Sequence, residues 1–534
     1  MTIVNISKVE NNTNFEYDFC IIGAGMSGQI IASKIKNKRI ALIDSGKIHY
    51  NEKLQDLNNI EEEGLKFRNN HINRLRQLGG SANLWANQIM TVEENEITNR
   101  DWIDYDLQWP IKYKDLYENY EAVLKYIHNS SNEDINNFEL DNNESFNSIL
   151  ENEFQTKDFF SFRKHFWPKH VEKFNYKSNF TKKILNDDKI DFFENFTATK
   201  FKINETKQVL DEITINSESK TCKIKSKNFI LSCGAIENAR ILLNNQSEYK
   251  ILQNDNIGKY FMDHARVTLG SIKSKKKLPI SILLSMKYRK FDLRKSIQIS
   301  PNFQKKFEIL SGHSYLDPNF GENEDIFFTN FLKEIKKFLK FKGIPNIKIS
   351  KFNLKKILEQ IYFNIPKQIS NSFLNNLIRL ILKRKQKYLS FNEMNIHYQG
   401  EQAPNVYSSI KLSNKLDSNK QKKVIVNWQL KEIDYKSQEQ FISLLKKSFN
   451  NNDLLTFTEN LNQQITDASH HSGTTRMSKN RLSGVVDNNC KFHDLNNVYI
   501  SGNSVFRTAG SGNPGLTNMA LSYRLGEYSN NLSI

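Results

Sequence analysis

The chain is poor in cysteine, proline and glycine, and each shortage removes a class of protein. Four cysteines occur in 534 residues, Cys20, Cys222, Cys233 and Cys490, far apart and with no CxxC spacing. Neither a disulfide framework nor a zinc knuckle is indicated, no metal site is expected, and four reduced thiols acting as small core residues are expected. Nine prolines and 21 glycines exclude collagen-like and linker-dominated architectures. No run of about 18 uncharged apolar residues is present, so no ordinary transmembrane helix is expected. Residues 1–17 are polar and carry no apolar stretch behind a basic head. No secretory signal is therefore expected, and a reducing, cytoplasmic setting is the default.

What the chain does contain is apolar mass and positive charge. Hydrophobic residues make up 38% and aromatics 11%, with 36 Phe, which argues against global disorder. The length exceeds what one hydrophobic core usually serves, so two or more interlocked domains are expected. The formal charge is +17, and +13 of it lies in residues 331–388, where 15 Lys or Arg face only Glu334 and Glu359. The other 476 residues carry only +4. Within the basic segment Phe331, Leu332, Ile335, Phe338 and Leu339 share one helical face, and Leu354, Ile357, Leu358 and Ile361 repeat the pattern. One reading is a peripheral platform on an anionic membrane surface. The other is a set of helices with apolar faces in a core and solvated lysines outside. Nucleic acid is not an expected partner, because no reading motif accompanies the charge.

Near the N-terminus a wholly apolar run, Phe19-Cys20-Ile21-Ile22, leads into Gly23-Ala24-Gly25-Met26-Ser27-Gly28 and then a helix-like segment to about Lys36. A second apolar run, Ile40 to Ile43, ends at Asp44. Strand, glycine turn, helix and acid in that order form a dinucleotide-binding unit. Gly23 permits the tight turn, Gly25 lets the backbone approach a pyrophosphate, and Gly28 lets helix and strand pack closely. The helix N-terminus presents N–H groups to phosphates, and Asp44 is placed for the ribose hydroxyls. The motif does not separate FAD from NAD.

Chemistry is densest near the other end, in Ser469-His470-His471-Ser472-Gly473-Thr474 and in Gly510-Ser511-Gly512-Asn513-Pro514. A strand-like Val498 to Ser501 leads to Gly502-Asn503, and a helical run follows from Gly515. Asn513 before Pro514 fits a helix N-cap with proline at the first helical position. On these residues alone, a capping Asn513 and a structural histidine pair would suffice.

Taken with the blocks 78–85, 109–111, 230–237, 257–264 and 401–405, which occur in family order, the sequence resembles the glucose–methanol–choline (GMC) oxidoreductases. These are FAD-dependent alcohol and sugar oxidases and dehydrogenases. The resemblance implies an α/β fold: a Rossmann-like FAD domain, discontinuous over 15–50, 190–265 and 465–534, and a cap or substrate domain over 70–190 and 266–464 with an antiparallel sheet and helices. It implies that His470, three positions before Gly473, takes the proton of a substrate hydroxyl while hydride passes to flavin N5. Asn513, in the family's second position, would hold the substrate oxygen. A neutral imidazole suits that proton abstraction, and a side-chain amide can donate to a developing alkoxide. His471 is the alternative base, expected to point elsewhere because neighbours in extended chain face opposite sides.

The resemblance also sets Met26, Ser27, Gly79, Gly80 and Asn83 against the cofactor. Gly234, Gly502, Asn503 and Thr517 join them from later in the chain. Where some relatives tether the flavin through a His just before the Trp, Leu84 precedes Trp85, so non-covalent FAD is expected. The helix after Asn513 would point its positive end toward the flavin pyrimidine edge, where reduction builds negative charge. The expected activity is oxidation of a CH–OH group, on a sugar or polyol, with dehydrogenase favoured over oxidase and the electron acceptor open. A flavin-containing lyase without net redox turnover and a membrane-docked flavin-binding component of a biosynthetic complex are the rival readings. Residues 270–395 match no family block, and the identity of the substrate is hidden there.

Overall fold

The computed structural model describes residues 2–3, 10–67, 73–85, 88–104, 106–128, 159–168, 174–218, 220–279, 286–288, 291–319, 390–450 and 452–532. The basic segment 331–388 and the polar stretch 129–147 lie outside these described residues.

An eight-stranded sheet organises the nucleotide half. Its strands run Thr2–Ile3, Ile190–Glu194, Ile40–Asp44, Asn14–Ile22, Thr221–Leu231, Val209–Asn216 and Thr197–Asn204, with Val498–Ile500 also beside Thr221–Leu231. The pairings from Thr2–Ile3 through to Thr221–Leu231 and Val498–Ile500 are parallel, while the last two strands of the path form an antiparallel meander. Phe19, Cys20, Ile21, Ala41, Leu42 and Ile230 are fully buried, as continuous apolar runs in a doubly covered parallel sheet must be. Register brings Ile22, Ile43 and Ile500 level with Leu231 or its neighbours. The strands therefore end at one edge, and Gly23, Gly234 and Gly502 follow directly. That carboxyl edge is where open α/β sheets bind ligands.

Helices Met26–Lys34, Tyr113–His128 and Gly515–Asn530 pack together on this sheet. Met26–Lys34 is shorter than the sequence suggests, because Ile35 is already extended. Residues 70–190 do not travel with the cap as one block. Leu116, Tyr120, Val123 and Leu124 of helix Tyr113–His128, and Phe174, Phe180 and Ile184 beyond it, bury their apolar faces in the nucleotide core.

The second half is a seven-stranded antiparallel sheet, ordered Met286–Tyr288, Phe291–Ile299, Gly312–Asn319, Ser390–Gly400, Arg266–Pro279 and Leu455–Glu459, with Phe160–Pro168 also beside Phe291–Ile299. One face carries Met394, Ile396 and Tyr398 and packs on Phe441, Ile442 and Leu445 of helix Glu432–Phe449. Alternation then turns Asn395, His397 and Gln399 to the opposite face. A small third sheet, Ser409–Leu416, Lys422–Trp428 and Glu61–Gly64, sits on helix Gly234–Gln246 through Ile410, Val426 and Trp428. Residues 417–421 are the tip of its hairpin. All four cysteines are free thiols, and three are buried.

Candidate active site

Three glycine turns meet at the carboxyl edge of the parallel sheet. Gly23 has φ of +104° and Gly79 of +93°, conformations that side chains resist. The Gly79 N–H donates to Ala24 O at 2.9 Å, and Gly25 and Gly79 form a bridge, so the two loops are stitched by backbone. A Cβ on Gly28 would lie 1.9 Å from Gly23 O, which accounts for glycine there. Gly25 differs: a Cβ there would meet nothing within 4 Å, and the same holds for Gly234. Gly80 and Gly502 border the same open space, through Gly25 Cα and through Ser27 Oγ and Gly234 Cα. The N-terminus of helix Met26–Lys34 faces it with no side-chain cap. Asn503 Oδ1 is buried with no hydrogen-bond partner among the described residues. Asp44 accepts from Ala24 N at 2.8 Å and from Gly46 N at 2.7 Å, leaving lone pairs for hydroxyls. Burial raises its pKa, opposed by those two N–H groups and by Arg76.

These features fit the adenosine and pyrophosphate half of FAD. Open space stands in front of Gly25 and Gly234, a helix N-terminus without a side-chain cap adjoins it, and a carboxylate sits at the end of the second apolar strand.

The histidine pair lies where the two halves meet. His470 Nδ1 is 2.9 Å from His264 Nδ1, and His264 Nε2 is 2.9 Å from Gly510 O. Buried Asp263 accepts from the backbone N–H groups of His264 at 2.7 Å, His470 at 2.9 Å and Ala468 at 3.3 Å. Burial, then Asp467, pushes the Asp263 carboxyl up to about 8. Burial holds His470 well below its ordinary pKa, helped by His264 and Arg266, so its imidazole is neutral. His471 packs on Phe67 and Phe261 and lies 3.6 Å from Asp263 Oδ2, in the small third core. Its ring contacts are thus different from those of His470, which pairs with His264.

Asn513 sits in that turn. Its Nδ2 donates to Gln88 Oε1 at 2.6 Å, and its Oδ1 accepts from Gln399 Nε2 at 3.2 Å. Gln399 also donates to Ser511 O and accepts from Arg266 Nε. Behind the turn, Arg163 grips Glu96 in a two-pronged ion pair of 2.7 and 2.9 Å. Glu96 also accepts from Ser311 Oγ at 2.7 Å and Ser511 N at 2.8 Å. Burial would raise the Glu96 pKa, but Arg163 and these donors pull it far below the ordinary value.

Residues 404–522 match the family model for GMC oxidoreductase. That segment is similar to the C-terminal domain of GMC oxidoreductases. A pyridoxine 4-oxidase from Mesorbium loti superposes with a TM-score of 0.59 at 12% identity, covering 97% of this chain and 100% of its own. A formate oxidase from Aspergillus oryzae, a variant studied for FAD modification, does so with a TM-score of 0.53 at 13% identity, covering 98% and 99%. No curated protein matches the chain in sequence.

Within this fold, several sequence-assigned side chains have protein partners of their own. Asn83 spends its amide on the loop itself, donating to Leu78 O and Gly80 O and accepting from Asn175. It shapes the Gly79–Gly80 turn and has no donor left for a cofactor. Thr517 pairs its hydroxyl with Tyr120 at 2.9 Å, so only its backbone belongs to the helix N-terminus. Ser27 Oγ donates to Asn518 Oδ1 at 2.7 Å. Met26 opens the first helix and is buried in the core beneath the loop. Asn513 is not a cap: Pro514 holds the N-cap position, and the Asn513 amide is taken by Gln88 and Gln399. Asp263, His264, Gln399 and Gln88 were missed. The first two stand in the block 257–264, which the family resemblance flagged without assigning it a role. Among the described residues, no group of three or more His, Cys, Asp or Glu could hold a metal ion.

Proposed function

We propose that the chain is a GMC oxidoreductase that oxidises a CH–OH group of a sugar or polyol with non-covalent FAD. The observation that carries the reading is convergence on one turn. His470 is tied through His264 to Gly510 O, and Asn513 lies three residues further along the same turn. Neutral His470 accepts the hydroxyl proton, and the second Nδ2 proton of Asn513 holds the oxygen as negative charge builds on it. Bound FAD supplies the hydride acceptor. Gln399 and Gln88 fix the Asn513 amide, so the donor needs no rearrangement during reaction.

A hydroxyl-rich substrate is supported by the sheet face that carries Gln399. Next outward on that face is His397, which pairs with Thr268 Oγ1 at 3.0 Å and stacks on Tyr315. Non-covalent attachment is supported by Leu84, which has no nucleophile. The flavin should leave the protein on acid precipitation, and flavin that stays with the pellet overturns that part. A carrier other than oxygen is the expected acceptor, since peroxide release would damage a reducing cell interior. Rapid reoxidation of reduced enzyme by air would instead align it with the two oxidases.

The test is anaerobic addition of sugars and polyols to the holoenzyme, read as bleaching of the flavin band. His470→Ala should slow bleaching by about 10²- to 10⁴-fold with flavin content unchanged. Product formation while the flavin stays yellow would identify a lyase, and full bleaching by His470→Ala would remove His470 as the base.

A further inference from the structure

We infer that His264 is a positioning residue that locks His470 into the tautomer with its proton on Nδ1, making Nε2 the basic atom of the site. The inference rests on His470 as the proposed base. The geometry allows one assignment of protons. Gly510 O, 2.9 Å from His264 Nε2, is a carbonyl and can only accept, so Nε2 of His264 carries a proton. His264 is 1% exposed. Burial and then Arg266 lower its pKa to about 4, so the ring is neutral and its Nδ1 is a lone pair. His470 Nδ1 stands 2.9 Å from that lone pair. Two lone pairs at this distance would repel, so His470 Nδ1 carries a proton and donates it. His470 is neutral as well, which leaves its Nε2 as the acceptor.

Ring placement agrees, because the imidazoles stand at 84° with centroids 5.0 Å apart, the edge-on approach a ring N–H needs to reach an in-plane lone pair. The main chain is held as firmly. Ser469 has φ of +61°, and Asp263 Oδ1 binds the N–H groups of Ala468 and His470 on either side of it. Asp263 thus places the backbone of His470, and its neighbour His264 sets the tautomer of the ring.

The pair does not relay protons. Passing one to His264 Nδ1 would create a buried imidazolium beside Arg266, with its other N–H facing a carbonyl that cannot take a proton away. A proton accepted at His470 Nε2 therefore leaves by the same atom.

Two-bond ¹H–¹⁵N spectra of histidine-labelled holoenzyme test this without a substrate, with the His470 signals identified by their loss in His470→Gln. The expected wild-type pattern is a protonated Nδ1 and an unprotonated Nε2. His264→Phe keeps a ring but removes the acceptor, and should shift His470 toward the Nε2–H form. With a bleaching substrate, kcat should fall by about 10²-fold with little change in KM or flavin content. His264→Asn, whose Oδ1 can accept in place of Nδ1, should recover most of the loss. An Nε2–H wild type, or an unchanged tautomer in His264→Phe, overturns the inference. If His264→Phe does not fold, the wild-type spectrum decides alone. Full bleaching by His470→Ala would overturn the catalytic reading and leave the tautomer result standing, so the two failures are distinguishable.

Discussion

The glycine cradle and the histidine pocket are built from opposite materials. In the cradle the functional surface is backbone, made available by missing side chains. Gly25 and Gly234 face open space, while Gly28 and Gly79 are squeezed against neighbouring carbonyls. In the pocket the functional atoms belong to side chains, each held by partners from distant parts of the chain. His470 and His264 are 206 residues apart, and Gln88 and Asn513 are 425 apart. One site tolerates almost no added atoms, and the other tolerates almost no lost ones.

The sharpest way to break this contrast is at two glycines three residues apart. Gly28→Ala puts a Cβ 1.9 Å from Gly23 O and should abolish the loop, with loss of flavin and of much of the soluble yield. Gly25→Ala meets nothing, so the flavin-free protein should melt at the wild-type temperature while flavin retention drops sharply. Equal damage to the flavin-free fold from both would refute the distinction between a packed and an open glycine. In the pocket, Glu96→Ala removes a partner from buried Arg163 and should cost about 3–5 kcal/mol in denaturant unfolding. A cost under about 1 kcal/mol would mean that the pair is solvated, as surface pairs are.

Acid should also separate the two regions, since the neutral imidazoles are in the pocket. His264 is lowered to about 4 in the fold. A depressed imidazole stabilises fully above its unfolded pKa near 6.5 and loses that contribution as pH falls toward the folded value. Between pH 6.5 and 4 the loss through His264 is about 3 kcal/mol. Asp263, raised to about 8, acts oppositely: its contribution is whole below its ordinary pKa and fades as pH rises toward 8. Comparing wild type with His264→Phe cancels the Asp263 term. The variant should lose less stability than wild type between pH 7 and 4.5, and identical slopes would count against a neutral His264. The smallest expected effect is Gln399→Leu, which frees one side of the Asn513 amide and should slow bleaching roughly tenfold, worth about 1.4 kcal/mol. No change would show that Gln88 alone orients Asn513.

The two regions were unequally legible. Gly23, Gly25, Gly28 and Asp44 could be read in order because strand, turn, helix and strand are consecutive, and the constraint on each glycine is local. His470 is reached only through the family resemblance, which places it three residues before Gly473. Asn83 and Thr517 were assigned to the cofactor, yet their side chains close on Leu78, Gly80 and Tyr120. A polar residue near a glycine turn reads the same whether it braces the turn or faces a ligand. Helix Tyr113–His128 went to the wrong half for a similar reason, since an amphipathic stripe states that it needs a core without saying which one.

Local spacing was therefore enough for the glycine turn and for the basic character of 331–388. Backbone geometry and short-range order are properties of consecutive residues. The bracing of His470 by Asp263 and His264, the clamping of Asn513 by Gln88 and Gln399, and the Arg163–Glu96 pair beneath the turn came only with the folded chain. Each is a hydrogen bond between segments that touch only after both sheets have formed, and its geometry is set by their packing.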